Sequence, residues 1–292
     1  MFMAPPDDTH SLIPATTRRQ AMDWSLALIS QQIESVIVRS DSGWGLMVDA
    51  RDLPLATETI QRYRAENRGW WWSRKVQGRP FSFHFGVIAW CLFLIAFYWM
   101  ATRPGSGLHD TGEMDSVAVS KGAWWRLFTA TVLHADLAHL TANLATGFCI
   151  LGLAMGRFGI GMALLVSYLA GAAGNVLGLV LHNQPYQGLG ASGMVMGALG
   201  LLATQALDLR RSGRVGVRYA VSGIAAAIML FVLLGLDSKS DVAAHFGGLL
   251  FGLVAGGAIA LYPKKLQTPQ ANAFAGVLLL GLFILTWALA LK

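Results

Sequence analysis

The chain has 292 residues, 54% of them hydrophobic and only 13% charged, with a net charge of +6 at neutral pH. Polar residues fall in clusters between apolar runs of about 18 residues or more, each long enough to cross roughly 30 Å of hydrocarbon, which a soluble domain does not need. The composition points to a polytopic membrane protein, and Lys and Arg flanking the spans account for the positive charge, so no nucleic-acid partner is expected.

Residues 1–17, with Pro5, Pro6, Asp7 and Asp8, read as disordered, and no basic stretch leading into an apolar core suggests a cleavable signal peptide. Residues 18–80 read as a small cytoplasmic α/β domain. SVIVRS and GWGLMVDA are strand-like on either side of DSG, and RQAMDWSLALISQQI and ATETIQRYRAENR have helical amphipathic spacing. No catalytic cluster is visible in it.

Seven spans follow, at about 83–101, 137–155, 158–181, 191–209, 218–236, 242–262 and 273–291. Arg74, Lys75 and Arg79 precede the first. Arg157 lies between the second and third, Arg210, Arg211, Arg214 and Arg218 between the fourth and fifth, and Lys264 and Lys265 follow the sixth. Alternation puts all of these on one face, which the positive-inside rule makes cytoplasmic. The amino terminus is then inside and Lys292 outside. Cys91 and Cys149 lie within apolar runs and are expected as small buried side chains rather than a disulfide.

Ionisable residues are costly inside a bilayer, so each one present is a functional candidate. The spans hold essentially no interior Asp or Glu, since Asp208 lies near a cytoplasmic end and Asp136 and Asp241 near outer ends, and there is no HExxH helix. Paired-acid proteolysis, zinc proteolysis and carboxylate-driven transport therefore lack their residues, and neither metal nor cofactor is expected. What remains is Ser192, His245, His139 and Asn143, with His134 just outside. Spans two, four and six run in the same direction, and the first four of these residues fall within the first two turns of their spans, no more than roughly 10 Å below the outer boundary. His139 and Asn143 are spaced i, i+4, on one helix face. Gly193, Gly197 and Gly200 in span four and Gly248, Gly252 and Gly256 in span six permit close helix approach beside Ser192 and His245, as a base-activated nucleophile requires. Taken singly, the serine reads as a cap or a packing residue and each histidine as an interfacial one. Agreement in depth across three helices favours a shared site.

The ordered set WWRLFTATVLHADLAHLTANL, GASG and AHFGG resembles the rhomboid intramembrane serine proteases over residues 83–262. The resemblance implies an all-α, six-helix core, here with a seventh C-terminal transmembrane helix at 273–291 as in some members. It also implies Ser192 as nucleophile, His245 as general base, and His139 and Asn143 with the Ser192 backbone N–H as oxyanion donors. His134 matches a further family histidine, structural or water-holding; Trp125 and Arg126 match the WR pair of the long first loop, which also reads as an interfacial anchor; Gly190 and Gly193 flank the nucleophile. Two positions depart from the family pattern: Met196 stands where a Tyr usually packs on the base, and Met155 where a Glu is frequent. The expected function is endoproteolysis of single-pass membrane proteins in or beside their spans near the outer face of the bilayer, in a bacterial inner membrane. The alternative is a catalytically silent relative that binds membrane clients, which usually lacks the dyad retained here.

Overall fold

The computed structural model describes residues 9–40, 43–67, 82–182, 185–205, 213–235 and 241–292. Arg74, Lys75, Arg79, Asp208, Arg210 and Arg211 lie outside them, as do the side chains of Arg214 and Arg218. The chain divides into two compact units, residues 1–75 and 76–292.

In the first unit, β1 (His10–Ala15), β2 (Ser35–Ser40) and β3 (Gly43–Asp49) form an antiparallel sheet in the order β1-β3-β2, accompanied by α1 (Arg18–Ile29) and α2 (Leu53–Glu66). On α1, Ala21, Trp24, Ser25 and Leu28 are buried, the i, i+3, i+4, i+7 stripe of a helix with one apolar face. They pack with Leu46 and Val48 of β3 and Ala56 and Ile60 of α2. Thr17 starts α1 by accepting the Gln20 N–H at 3.1 Å. The expectation of disorder over 1–17 fails for residues 10–15, which pair with β3 from His10↔Asp49 to Ala15↔Trp44. β1 is an edge strand, and an edge position tolerates Pro14 because one side of it needs no ladder donor.

The second unit is helical. Among the described residues, four helices are long and apolar enough to cross a membrane: α7 (Leu137–Phe158), α8 (Ile160–Leu181), α11 (Val242–Leu261) and α13 (Pro269–Ala290). Shorter apolar helices are α3 (Val87–Ala101), α9 (Ser192–Ala203) and the stretch Val221–Leu233 within α10 (Gly213–Gly235). The helix α12 (Pro263–Leu266) is a single turn. The first helix starts later than the expected 83 because Ser82–His84 lie extended along α7. There the Ser82 hydroxyl donates to the Gly156 carbonyl at 2.8 Å, the His84 N–H to the Gly152 carbonyl at 2.9 Å, and the Phe83 ring fills the space above Gly152. The last helix starts earlier than the expected 273, since Thr268 caps it by accepting the Ala271 N–H and Pro269 suits its first turn. Cys149 is exposed on α7, contrary to the expected burial, and Cys91 is half-buried. An apolar helix face turned toward lipid needs no protein cover.

Between α3 and α7 the chain folds into α4 (Leu108–Gly112), β4 (Met114–Asp115), α5 (Ser116–Ser120), α6 (Arg126–Thr129) and a 3-10 turn, Ala130–Val132. Its centre is Arg126, whose guanidinium donates to the carbonyls of Asp110 at 2.7 Å and Glu113 at 2.9 Å. The Thr129 hydroxyl donates to the Gly112 carbonyl at 2.6 Å, and Asn175 of α8 ties the loop down through the Leu127 carbonyl at 2.7 Å.

The interior is a seam of glycine backbones. A Cβ added at Gly248 or Gly252 of α11 would overlap the carbonyl of Gly193 or Gly197 of α9, and one at Gly174 of α8 the carbonyl of Ala244. The partner pairs 193–248 and 197–252 advance together, so α9 and α11 run parallel. The pairing of Gly171 with Met194 and of Ser167 with Gly197 runs oppositely, so α8 is antiparallel to both. Without a hydrophobic force between helices in lipid, such backbone approach is what fixes their positions.

Candidate active site

Ser192 is the first residue of α9, His245 the fourth of α11, and His139 and Asn143 the third and seventh of α7. The parallel seam brings the starts of α9 and α11 to one end, and α7 joins them there, with His139 against Gly190. A Cβ on Gly193, next to Ser192, would lie 3.8 Å from the carbonyl oxygen of Ala244, next to His245. Gly190, two residues before Ser192, has φ +127°, a conformation that only glycine adopts without strain. A Cβ there would stand 2.7 Å from His139 Nε2 and 3.6 Å from Asn143 Nδ2, so the imidazole and the amide lie directly over the turn that leads into the serine. The Gly190 N–H donates to the Ala130 carbonyl at 2.9 Å and anchors that turn.

Burial distinguishes the members. His245 and Asn143 are buried, while Ser192 and His139 are half-buried. Asn143 Nδ2 donates to the His139 carbonyl one turn back at 3.1 Å, which fixes the amide and leaves a second N–H on the same nitrogen. His134 is fully buried with its ring edge-to-face against His139, centroids 5.3 Å apart. Burial, with His139 next to it, holds its pKa down at about 4, so it is neutral at ordinary pH. Met196 and Met155 are buried in the main core cluster, and Trp125 packs against it half-buried.

The three helix starts are not equivalent. Asp136 caps α7 by accepting the His139 N–H at 2.7 Å, and Asp241 caps α11 by accepting the Ala244 N–H at 2.9 Å. The residue before α9 is Ala191, with no side-chain cap. The first N–H groups of α9 therefore have neither an intrahelical acceptor nor a carboxylate over them, and they carry the positive end of the helix dipole to where Ser192 stands. Such a terminus can receive a developing negative charge.

Two connections around the site were not legible in the sequence. One is the short antiparallel pairing of β4 with β5 (Gln187–Gly188), Met114↔Gly188 and Asp115↔Gln187, which joins the first loop to the approach to Ser192. The other is a hydrogen bond from the Tyr186 hydroxyl to Asp241 Oδ2. The Asp before an apolar helix marks Asp241 as a cap, but nothing local points to a tyrosine 55 positions away.

The family model for the Rhomboid domain matches residues 121–262, the stretch that contains every residue of this site. The chain is 32% identical over 219 residues to the rhomboid protease GluP of Bacillus subtilis, a match covering 72% of this chain and 40% of that protein. It is 30% identical over 168 residues to the rhomboid protease AarA of Providencia stuartii, covering 50% and 59%. It is 28% identical over 172 residues to the putative rhomboid protease YdcA of Bacillus subtilis, covering 58% and 85%. The chain thus spans less than half of GluP. Together with its apolar helices, these likenesses make the chain a multi-pass integral membrane protein of the rhomboid family.

Proposed function

We propose that the protein is an intramembrane serine endopeptidase with Ser192 as nucleophile and His245 as general base. Oγ of Ser192 attacks the carbonyl carbon of the scissile bond while the His245 imidazole takes the hydroxyl proton. The carbonyl oxygen becomes an oxyanion, received by the Ser192 backbone N–H, His139 and Asn143. His245 then gives its proton to the leaving amine, and a water deprotonated by His245 hydrolyses the acyl ester. The observation that carries this reading is the uncapped start of α9, with Ser192 at its first position and His139 and Asn143 over the glycine turn before it. Two flanking helices with carboxylate caps and one without is the arrangement expected where an anion must form.

Water must reach such a site, which fits residues gathered within the first two turns of their helices. The substrate span must unwind locally, because an intact helix keeps its carbonyls in hydrogen bonds; spans with Gly, Pro or other weak helix formers are the expected clients. We assign the seven apolar segments as spans, the amino terminus and the small α/β domain to the cytoplasm of a bacterium, and Lys292 to the outside of its inner membrane, from the Lys and Arg distribution. Retention of both Ser192 and His245 favours catalysis over silent client binding.

A serine-directed fluorophosphonate tests the reading: the wild type is modified in detergent, and Ser192→Ala is not. A wild type that resists modification while folded, or equal labelling of Ser192→Ala, overturns it.

A further inference from the structure

We propose that Tyr186 and Asp241 form a positioning latch that holds the His245 turn of α11 in register with the segment leading into Ser192. The inference rests on the proteolytic reading above. Asp241 has three roles at once. Its Oδ1 caps Ala244 at 2.9 Å, its main-chain carbonyl accepts the His245 N–H at 3.0 Å, and its Oδ2 accepts the Tyr186 hydroxyl. The first turn of a helix is where fraying begins, because its N–H groups lack intrahelical acceptors, and His245 sits in that turn. A base in a fraying turn would lose its aim.

Tyr186 is a rigid post for this purpose. It is buried, its ring stacks on His182 with centroids 4.5 Å apart and planes 13° apart, and it fills the space above Gly178 and Gly188, where an added Cβ would meet the ring or hydroxyl at 2.9 and 2.7 Å. Its main chain exchanges hydrogen bonds with Ser116 of the first loop, N–H to Ser116 Oγ and carbonyl from Ser116 N–H, both at 2.9 Å. The next two residues form β5, and Gly190 and Ser192 follow directly. One side chain therefore ties the first loop, the approach to the nucleophile and the base helix into a single unit. A hydrogen bond to a carboxylate is among the stronger ones. Burial, and then Asp241 beside it, push the phenol pKa well above its usual value, so Tyr186 remains a donor at any working pH.

The test compares Tyr186→Phe, Asp241→Asn and Asp241→Ala in full-length protein, reading the second-order rate of fluorophosphonate modification of Ser192, kcat and KM for a membrane substrate, and thermal unfolding. Tyr186→Phe should slow modification and lower kcat roughly tenfold with KM little changed, the size expected for one lost hydrogen bond to a charge. Asp241→Asn, which keeps its oxygen as acceptor for the Ala244 N–H and turns an amide N–H toward the Tyr186 oxygen in place of the carboxylate acceptor, should retain more of the rate than Asp241→Ala. Asp241→Ala should lose more, and adding Tyr186→Phe to it should cost nothing further. Tyr186→Phe reacting at the wild-type rate, whether or not its unfolding temperature falls, overturns the proposal and leaves a purely structural bond. A loss that appears only in KM overturns it too. If Tyr186→Phe does not accumulate, Asp241→Asn and Asp241→Ala decide: equal rates in these two refute the latch. A wild type that does not react refutes the proteolytic reading itself.

Discussion

The seam of α8, α9 and α11 and the packing of α3 and α13 hold helices together by opposite means. The seam is close backbone approach: Gly197, Gly248 and Gly252 leave no room for even a methyl group. The outer packing is ring on ring, with Phe97 against Trp287 at 4.9 Å and Phe93 against Phe283 at 5.5 Å. Of the apolar stretch of α8, 56% is buried inside the protein, against 22% for α13. Rings interlock at long range and tolerate small shifts, whereas glycine contacts fix the distance between helix axes. Ser192 and His245 sit at the end of the seam, where the distance between their helices is set by glycine contacts.

The largest expected effect separates two glycines on one helix. Gly252 of α11 faces the Gly197 carbonyl, while Gly257 has nothing within 4 Å of an added Cβ. Gly252→Leu should abolish accumulation of folded protein, because overpacking by more than about 3 kcal/mol exceeds what the seam can absorb. Gly257→Leu should fold and remain within about 1 kcal/mol of wild type. Equal behaviour of the two in a detergent unfolding assay would break the comparison between seam and periphery.

Asn143→Ala, at the site end of the bundle, should lower kcat about a hundredfold with KM nearly unchanged, since an oxyanion donor acts in the transition state. Steady-state kinetics with a loss confined to KM would make Asn143 a substrate contact instead. His134 sharpens the account through pH. Its folded pKa of about 4 lies below the ordinary 6.5, so the unfolded chain takes up a proton first as pH falls. Stability should be level above about pH 6.5, decline by on the order of 3 kcal/mol between 6.5 and 4, and level off below. His134→Gln should flatten that decline in thermal unfolding measured across the same range; an unchanged slope contradicts the assignment. The smallest effect concerns Met196, buried one turn below Ser192. Met196→Tyr should be tolerated and raise turnover by up to about tenfold, through a stiffer surface for the base. A collapse of activity would show that this position cannot admit a ring.

Residues close in sequence were legible and residues joined across the fold were not. The spacing of apolar runs located the helices, the i, i+4 pair His139 and Asn143 shared a face, and the glycine periodicities of α9 and α11 marked the sides that meet. The folding of the first loop around Arg126 was hidden, because its acceptors are main-chain carbonyls, which every residue offers. The Tyr186 to Asp241 bond was hidden because its partners are separated by 55 positions that hold two expected spans. β1 was missed because six residues, HSLIPA, carry too little alternation to stand apart from the Pro5, Pro6, Asp7 and Asp8 stretch just before them.

The most direct test is cleavage of a single-pass membrane substrate by the full chain in proteoliposomes. The wild type should cut in or beside the span, Ser192→Ala and His245→Ala should each reduce cleavage to background while keeping the wild-type unfolding temperature, and the double variant should be no worse than either. Near wild-type cleavage by either single variant contradicts the dyad.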